Sequence, residues 1–406
     1  MEGIRRMSLF DGLKVLDLST LFAGPVSATL LGDYGAEVIK IEHPKGDDLR
    51  NWGVKKEGIS FWWKVYSRNK RLLSLNLKLE DGREALKRLI TKADVLIENF
   101  RPGRMKSWGF SYEEVSKINS KIIMAHVTGF GQNGPYSSLP GFGTLAEAMS
   151  GFANLNGYPD SPPTLPPMAL ADGIAGLTTA FAVSAALWKR EKTMIGEEID
   201  ISLYEPLMWI LGPEISEKQQ LNYEHTRHGN QSSITSPRNL YKTRDERWIA
   251  LSASSQNVTE RLFKAIGRPD LIEDPDFRTN SDRLRNRAKL DSIIESWTSG
   301  LNQMDIVKLL RNSDVAVAPI YDSAQIMEDM HYRQRGSVLD LNDETYGKLS
   351  MQGLIAQFGK NPGELRWSGR DNVGADSVQI LKELGYSLEE IVSLKANGVT
   401  TYPNDC

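Results

Sequence analysis

The chain of 406 residues is long enough to form two domains with a substantial hydrophobic core. Hydrophobic residues make up 40% and charged residues 25% of the chain, which are ordinary values for a globular protein. The formal net charge of −3, from 49 basic and 52 acidic residues, gives no electrostatic reason to expect binding to nucleic acid or to a membrane surface.

Three features of the sequence indicate the cellular compartment. The single cysteine, Cys406, excludes an intrachain disulfide and indicates a reducing environment. Residues 1–10 contain two arginines but no apolar core of signal-peptide length. The most apolar run, residues 173–188, is short for a membrane span and is interrupted by Gly176 and two threonines. We therefore expect a cytoplasmic protein without a membrane-spanning helix.

The first 130 residues alternate between strand patterns and helix patterns. Strands are predicted at residues 13–19, 37–42, 71–77, 94–98 and 121–127, and helices at 25–34 and 80–92. Such alternation predicts a parallel sheet with helices on both faces, and hence an α/β fold.

The second half of the chain changes in composition. A helix at 172–190 and a strand at 197–203 are followed by a polar stretch at 214–243, a mainly helical pattern at 256–311, and short strands and helices up to 399. We therefore predict a large α/β domain formed by residues 1–213 and 321–406. A small, mainly helical domain with its linkers is predicted at 214–320.

Asp172 is the one charged residue between Asp160 and Lys189. Pro166 and Pro167 end any helix upstream, and helical apolar spacing starts directly after Asp172, which predicts an N-cap position. There, free backbone N–H groups and the helix dipole would favour the ionised carboxylate. Capping alone explains most aspartates of this kind, but the glycines that follow would let a ligand approach closely. Asp172 is therefore the best candidate for a nucleophile.

Two other motifs are better explained by structure than by chemistry. Residues 129–134 match the Gly-x-Gly-x-x-Gly pattern, but prolines follow instead of a helix, which predicts a loop and not a NAD site. His225 and His228 have weak metal-ligand spacing without a supporting cysteine or carboxylate cluster. We predict no metal site and no permanently bound cofactor.

Basic residues lie at or after the ends of the early predicted strands. They are Lys45, Arg50, Lys70, Arg71, Lys78, Arg101, Arg104 and Lys106. Open α/β sheets bind ligands at the carboxyl ends of their strands, and the phosphates of a nucleotide-type ligand would pair with such charges. A solvated surface is the alternative for each residue taken singly.

Several segments in order resemble the class III CoA-transferases, the family that includes formyl-CoA transferase, carnitine CoA-transferase and the α-methylacyl-CoA racemases. The segments are residues 10–19, 35–42, 69–71, 93–103, 129–135, 170–173, 283–286 and 383–386. The resemblance covers nearly the whole chain. It implies a split Rossmann-like large domain, a smaller inserted domain and an interlocked homodimer.

The resemblance also implies a reaction and its residues. CoA would move from an acyl-CoA thioester, bound as a substrate, to a free carboxylic acid through covalent intermediates on Asp172. The CoA contacts implied by matching positions are His43, Leu75, Lys78, Asn99 and Phe100, with Arg101 and Lys106 as nearby candidates.

The chain departs from formyl-CoA transferases at several of their usual positions. Those enzymes carry a glutamine near position 22, arginines near 43 and 107, and a glycine run near 252. This chain has Phe22, His43, Ser107 and the sequence Ser-Ala-Ser-Ser at 252–255. We therefore expect an acid that is larger or less polar than formate or oxalate.

Two alternative functions remain open from the sequence. The racemases use a histidine in a Gly-His-Asp segment that matches residues 141–143, together with a downstream acid, but this chain has Gly-Phe-Gly there, and nearby His126 lies in the preceding strand. The missing acid–base pair favours the transferase over the racemase. A non-catalytic protein that binds CoA esters is the second alternative.

Overall fold

The computed structural model describes residues 8–403, so Cys406 and residues 1–7 lie outside the described part. The chain divides into two compact units. The larger unit comprises the chain up to Phe152, the segment Leu165–Glu214 and the chain from Met330 onward. The smaller unit comprises Ala153–Thr164 and Ile215–Asp329.

The predicted span was 214–320, so the smaller unit begins one residue later, ends nine residues later and includes the additional segment Ala153–Thr164. Its additional segment is held by the guanidinium of Arg227, which donates hydrogen bonds to the carbonyl oxygens of Asn154, Tyr158 and Ser161. Because these contacts join residues far apart in sequence, local patterns could not reveal them.

The strands and helices of the described chain are as follows. The strands are β1 (Lys14–Asp17), β2 (Glu37–Glu42), β3 (Lys55–Lys56), β4 (Ile59–Ser60), β5 (Lys70–Ser74), β6 (Val95–Glu98), β7 (Ile123–Thr128), β8 (Glu197–Ser202), β9 (Arg238–Lys242), β10 (Trp248–Ser252), β11 (Val317–Pro319), β12 (Val338–Asp343) and β13 (Gly347–Gln352). The helices are α1 (Ala23–Asp33), α2 (Phe61–Tyr66), α3 (Glu80–Ile90), α4 (Arg104–Ser107), α5 (Tyr112–Ile118), α6 (Gly143–Met149), α7 (Phe152–Leu155), α8 (Leu170–Thr193), α9 (Tyr204–Ile210), α10 (Glu214–Leu221), α11 (Gln256–Ala265), α12 (Asn280–Arg285), α13 (Arg287–Thr298), α14 (Gln303–Asn312), α15 (Ser323–Glu328), α16 (Met330–Gln334), α17 (Ser377–Glu383) and α18 (Leu388–Ala396).

The larger unit is built on a six-stranded parallel sheet with the order β5-β2-β1-β6-β7-β8. Numbered along the chain, these strands follow the 3-2-1-4-5-6 order of doubly wound folds. The predicted α/β architecture with a parallel sheet is thereby confirmed. The smaller unit contains a three-stranded antiparallel sheet, β11-β10-β9, together with its helices.

The central strands β1, β6 and β7 are buried on both faces, whereas the edge strand β8 exposes Glu198 and Asp200. Successive side chains of β1 point to opposite faces: Val15 belongs to a core with residues of α1 and α8, and Leu16 to a core with residues of α3 and α17. Between β1 and β6 the strand order reverses. The loops after these two strands therefore diverge and leave a crevice at their carboxyl ends.

Helix α8 is longer than the sequence predicted. It spans 24 residues, Leu170–Thr193, and is long and apolar enough to cross a membrane by length and composition alone. The expectation that its apolar run is too short for a span is therefore wrong. Core helices of soluble proteins meet the same criteria, and α8 buries one face, including Ala175, Gly176 and Val183, in the core that it shares with α1.

Candidate active site

A cavity of about 150 Å³ lies where the strand order reverses. Its walls come from residues 20–23 after β1, 99–102 after β6 and 127–129 at the end of β7. Asp172 of α8 also faces the cavity, and it is the one acidic side chain among the described residues that line it. The geometry places the strongest sequence candidate at the ligand site expected for this sheet topology.

Thr20 and Asn99 hold the two diverging loops together. The Asn99 carboxamide accepts a hydrogen bond from the Thr20 N–H at 2.7 Å and donates one to the Thr20 carbonyl oxygen at 2.7 Å. Both polar atoms of the Asn99 side chain are thus committed to positioning the loop after β1. Sequence reasoning missed Thr20, because only the pairing of β1 with β6 brings its loop to Asn99.

The N-terminus of α8 is capped by Glu147, contrary to the prediction that Asp172 would be the N-cap. The N-cap position belongs to Ala169, which has no side-chain acceptor, and Asp172 is the third residue of the helix. Glu147 is 3% exposed, and its Oε1 accepts hydrogen bonds from the N–H groups of Leu170 and Ala171 at 3.0 and 3.3 Å. Two of the helix donors expected to serve Asp172 or its substrate are therefore occupied by Glu147.

This arrangement changes the protonation of Asp172. Burial, together with the negative charge of Glu147, raises the pKa of Asp172 from 3.8 to about 6, against a lowering by its own backbone N–H. The expectation that the helix N-terminus would favour the ionised form is thus wrong in its net effect. Near neutral pH the carboxylate remains mostly ionised and is more basic than an ordinary aspartate.

Gly143, the first residue of α6, faces the Asp172 carboxylate. A Cβ atom at this position would overlap with Asp172 Oδ2. The absence of a side chain at Gly143 therefore makes room for the carboxylate.

The segment of the Gly-x-Gly-x-x-Gly pattern is a loop, as predicted, and helix α6 begins only at Gly143. The backbones of Gly129 and Gly141 meet so closely that a Cβ atom at either position would overlap with the other residue's backbone. Both glycines line the cavity, and the absence of side chains lets the two loop segments approach each other closely.

Three of the predicted CoA contacts lie after β2 and β5. His43 and Lys78 are exposed, and partial desolvation of the His43 ring, together with the charges of Lys45 and Lys78, lowers the pKa of His43. Leu75 differs from them, because its side chain is 2% exposed and belongs to the core. Only the backbone of Leu75 remains near the strand end, where its N–H is bonded to the Glu42 carbonyl oxygen at 2.9 Å.

The remaining predicted contacts follow β6. Arg101 is exposed and lines the cavity with Asn99 and Phe100. The Phe100 ring packs edge-on against Trp108 at a centroid distance of 5.2 Å. Lys106 is exposed on the short helix α4. The structure thus brings Asn99, Phe100 and Arg101 to the cavity that contains Asp172.

Other basic residues expected at the phosphates are held in ion pairs. Lys70 is fully buried and lies 2.8 Å from Asp17 Oδ2. Arg50 pairs with Glu42 at 2.8 Å, and Arg71 pairs with Glu37 and Glu383 at 2.7 Å each. These side chains serve the fold, because a desolvated charge requires a partner.

His126 is held between two glutamates. Its Nδ1 pairs with Glu98 and its Nε2 lies 3.1 Å from Glu198 Oε1. Burial lowers the pKa of His126, but the two carboxylates outweigh that effect and raise it. His126 does not line the cavity that contains Asp172, so the geometry does not favour a racemase histidine here.

The chain belongs to CoA-transferase family III, whose profile matches residues 10–377. Named relatives that match nearly the full chain at 34–35% identity are CoA-transferases, and the chain is a family III CoA-transferase.

Individual relatives resemble the chain over nearly its whole length. It is 34% identical to the succinyl-CoA–D-citramalate CoA-transferase of Chloroflexus aurantiacus, over 98% of this chain and 100% of the relative. It is 35% identical to the succinyl-CoA–L-malate CoA-transferase beta subunit of the same organism, again over 98% and 100%. The crystal structure of a CAIB/BAIF family protein from Brucella suis superimposes with a TM-score of 0.83 at 30% identity, covering 93% of this chain and 100% of that one.

Proposed function

We propose that Asp172 is the nucleophile that carries CoA transfer from an acyl-CoA to a free carboxylic acid. The observation that carries the proposal is the single carboxylate in the cavity at the carboxyl ends of β1 and β6, with a pKa near 6. A more basic carboxylate is a better nucleophile, and at pH 7 it is still largely ionised.

The first half of the reaction forms an enzyme–CoA thioester. Asp172 attacks the thioester carbonyl of the donor, and CoA leaves as the thiolate, which gives an aspartyl–acyl anhydride. The thiolate then attacks the aspartyl carbonyl of the anhydride. The donor acid leaves as a carboxylate, and CoA is bound to Asp172 as a thioester.

The second half repeats these steps in reverse with the acceptor. The acceptor carboxylate attacks the aspartyl thioester, and CoA leaves again as the thiolate with formation of a new anhydride. Attack of the thiolate on the acceptor's carbonyl produces the new acyl-CoA and restores the Asp172 carboxylate. Succinyl-CoA is the proposed donor, because the curated relatives described above are named for it.

The CoA substrate would follow the row of strand ends across the sheet. His43 and Lys78 lie after β2 and β5, and Asn99, Phe100 and Arg101 lie after β6 beside Asp172. Neighbouring strands are about 4.8 Å apart, so the three steps from β5 to β6 span roughly 14 Å. We assign the phosphates to the basic end of this row and the thioester to the Asp172 end, with Lys106 as a further candidate.

We also propose that two chains form a homodimer. Helix α8 exposes Phe181 by 74% and Trp188 by 67%, and α9 exposes Trp209 by 82%. Large apolar side chains of this kind are typical of a surface that is covered in the assembled protein. Light scattering coupled to size exclusion should give twice the chain mass, and Trp188→Asp with Trp209→Asp should give the mass of one chain.

The covalent intermediate provides the test of the mechanism. The enzyme is incubated with succinyl-CoA and then with hydroxylamine, and peptides are analysed by mass spectrometry. We expect a hydroxamate at Asp172 in the wild type and none in Asp172→Ala, which should also lose CoA transfer. Full turnover by Asp172→Ala would overturn the mechanism. Deuterium uptake at the α-carbon without CoA transfer would support the racemase instead.

A further inference from the structure

We propose that a second, apolar cavity beside Phe22 holds the hydrocarbon part of an acid whose carboxyl group reacts at Asp172. The inference rests on the proposed function and names the class of substrate, namely a monocarboxylic acid with a branched or aromatic body. We call this space the acyl cavity.

The acyl cavity measures about 400 Å³ and is lined almost entirely by apolar atoms. Its walls come from α1, α2, the first two turns of α8 and residues 352–355 after β13. The side chains that define its shape include Phe22, Val26, Trp62, Tyr66, Leu177 and Ile355. A cavity of this composition favours a hydrocarbon group over water.

Phe22 lies between the acyl cavity and the cavity of Asp172 and lines both. The ring is held by edge contacts to Tyr66 and Trp62, at centroid distances of 4.7 and 5.1 Å. Gly173 follows Asp172 directly and lines the acyl cavity, and a Cβ atom there would meet Phe22 at 3.8 Å. The missing side chain therefore leaves space between the ring and the helix, one residue away from the nucleophile.

The charges around the acyl cavity indicate what it would accept. Among the described residues that line it, Arg68 alone carries a charge. Its guanidinium is paired with Asp33 at 2.5 Å and donates to the Gln352 carbonyl oxygen at 2.6 Å. Burial raises the pKa of Tyr66, so its phenol stays neutral. A second carboxylate in the cavity would have no cation to pair with, which disfavours a dicarboxylic acceptor.

The test measures selectivity between two acceptor acids, 3-phenylpropionate and acetate, with the acyl-CoA donor that the wild type uses best. Leu177→Trp replaces a leucine side chain in the acyl cavity by a bulky ring at a position that is 47% exposed, so the fold should tolerate it. Phe181→Trp, one helical turn further along α8 and outside the cavity, is the matched control.

We expect Leu177→Trp to lower the ratio of kcat/KM for 3-phenylpropionate to that for acetate by about tenfold or more, and Phe181→Trp to leave the ratio unchanged. Phe22→Ala, which opens the wall between the two cavities, should change the ratio in favour of the aromatic acid. An unchanged ratio in Leu177→Trp, or an equal loss for both acids, would overturn the proposal.

Equilibrium dialysis of radiolabelled 3-phenylpropionate without CoA separates this proposal from the proposed function. Binding to the wild type that is weakened about tenfold in Leu177→Trp supports the acyl cavity even if no CoA transfer is found, in which case only the proposed function fails. Binding that Leu177→Trp does not weaken overturns the acyl cavity. A change of oligomeric state in Leu177→Trp with unchanged binding would instead assign the space to a second copy of the chain, and would equally overturn it.

Discussion

Glu147 occupies the N-terminus of the helix that carries Asp172. Its Oε1 accepts the N–H groups of the first two residues of α8, while Asp172, the third residue, has its carboxylate in the cavity. The negative charge at the N-terminus of α8 is thus supplied by Glu147 of the neighbouring helix α6, and not by Asp172. The proposed nucleophile is left with a second carboxylate close by and a raised pKa.

We expect Glu147→Gln to make Asp172 more acidic. The substitution keeps an oxygen that accepts the N–H groups of α8 but removes the negative charge that contributes to the raised pKa. The acid limb of the pH profile of kcat/KM, near pH 6 in the wild type, should therefore move to lower pH. Glu191→Gln at the exposed far end of α8 is the control. A limb that stays in place would show that Glu147 does not influence the titration.

Asp172→Asn should stabilise the protein, and more so at higher pH. The folded-state pKa of Asp172 is raised to about 6 from 3.8, so the folded state binds this proton more tightly than the unfolded state. Its contribution to the free energy of unfolding is lost as the pH rises from about 4 through about 6. The variant should exceed the wild type by about 2 to 3 kcal/mol at pH 8, and by less at pH 5. Urea unfolding at both values checks this, and a constant difference would contradict it.

Gly143→Ala should abolish most activity without unfolding the chain. The new methyl group would overlap with Asp172 Oδ2, so the carboxylate must leave its position beside the thioester. A misplacement of a reacting group by about 1 Å can lower the rate by about 100-fold. Gly359→Ala adds the same methyl group in open space and should have no effect. Hydroxylamine trapping at residue 172 should weaken only in the first variant.

Lys70→Met should destabilise the fold, because it leaves Asp17 buried with its charge poorly compensated. Both side chains are fully buried, and Lys40, the other cation near Asp17, is 3.9 Å away and paired with Asp47 at 2.8 Å. Removing one partner of a buried pair typically costs about 3 to 5 kcal/mol. The double variant Asp17→Asn, Lys70→Met should recover part of the loss in urea unfolding. A single variant as stable as the wild type would contradict the pairing.

Lys78→Gln should weaken the binding of acyl-CoA without changing the chemical step. Lys78 is exposed near His43, where we assign the phosphates of CoA. The loss of one exposed charge contact should raise KM for the acyl-CoA by about fivefold at unchanged kcat. Lys87→Gln, an exposed lysine near the C-terminal end of α3, is the control. A fall in kcat with KM unchanged would place Lys78 elsewhere in the mechanism.

Local sequence patterns predicted much of the fold and the central residue of the candidate site. The alternation of strand and helix patterns predicted the parallel sheet, because parallel neighbouring strands need a crossover connection, which is usually a helix. Asp172 was recognisable as an isolated charge in an apolar segment, although the pattern alone could not separate a cap from a nucleophile. The family resemblance supplied that distinction.

The ion pairs between distant segments of the chain could not be predicted from the sequence. The basic residues after the strands looked alike, yet Lys70, Arg50 and Arg71 are bound to carboxylates while Arg101 lines the cavity. The sequence contains no local signal for these pairings, because the partners of Lys70 and Arg71 come from other strands and helices.

The sequence by itself determined the main alternating strands and helices of the large domain, their parallel arrangement and the identity of the candidate nucleophile. Only the tertiary structure decided the environment of that nucleophile. Glu147 lies 23 residues from the N–H of Leu170 that it caps, and Gly143 meets the carboxylate only because α6 packs against α8. A side chain's pKa and the space around it depend on such neighbours, whereas strand and helix patterns depend on residues a few positions apart.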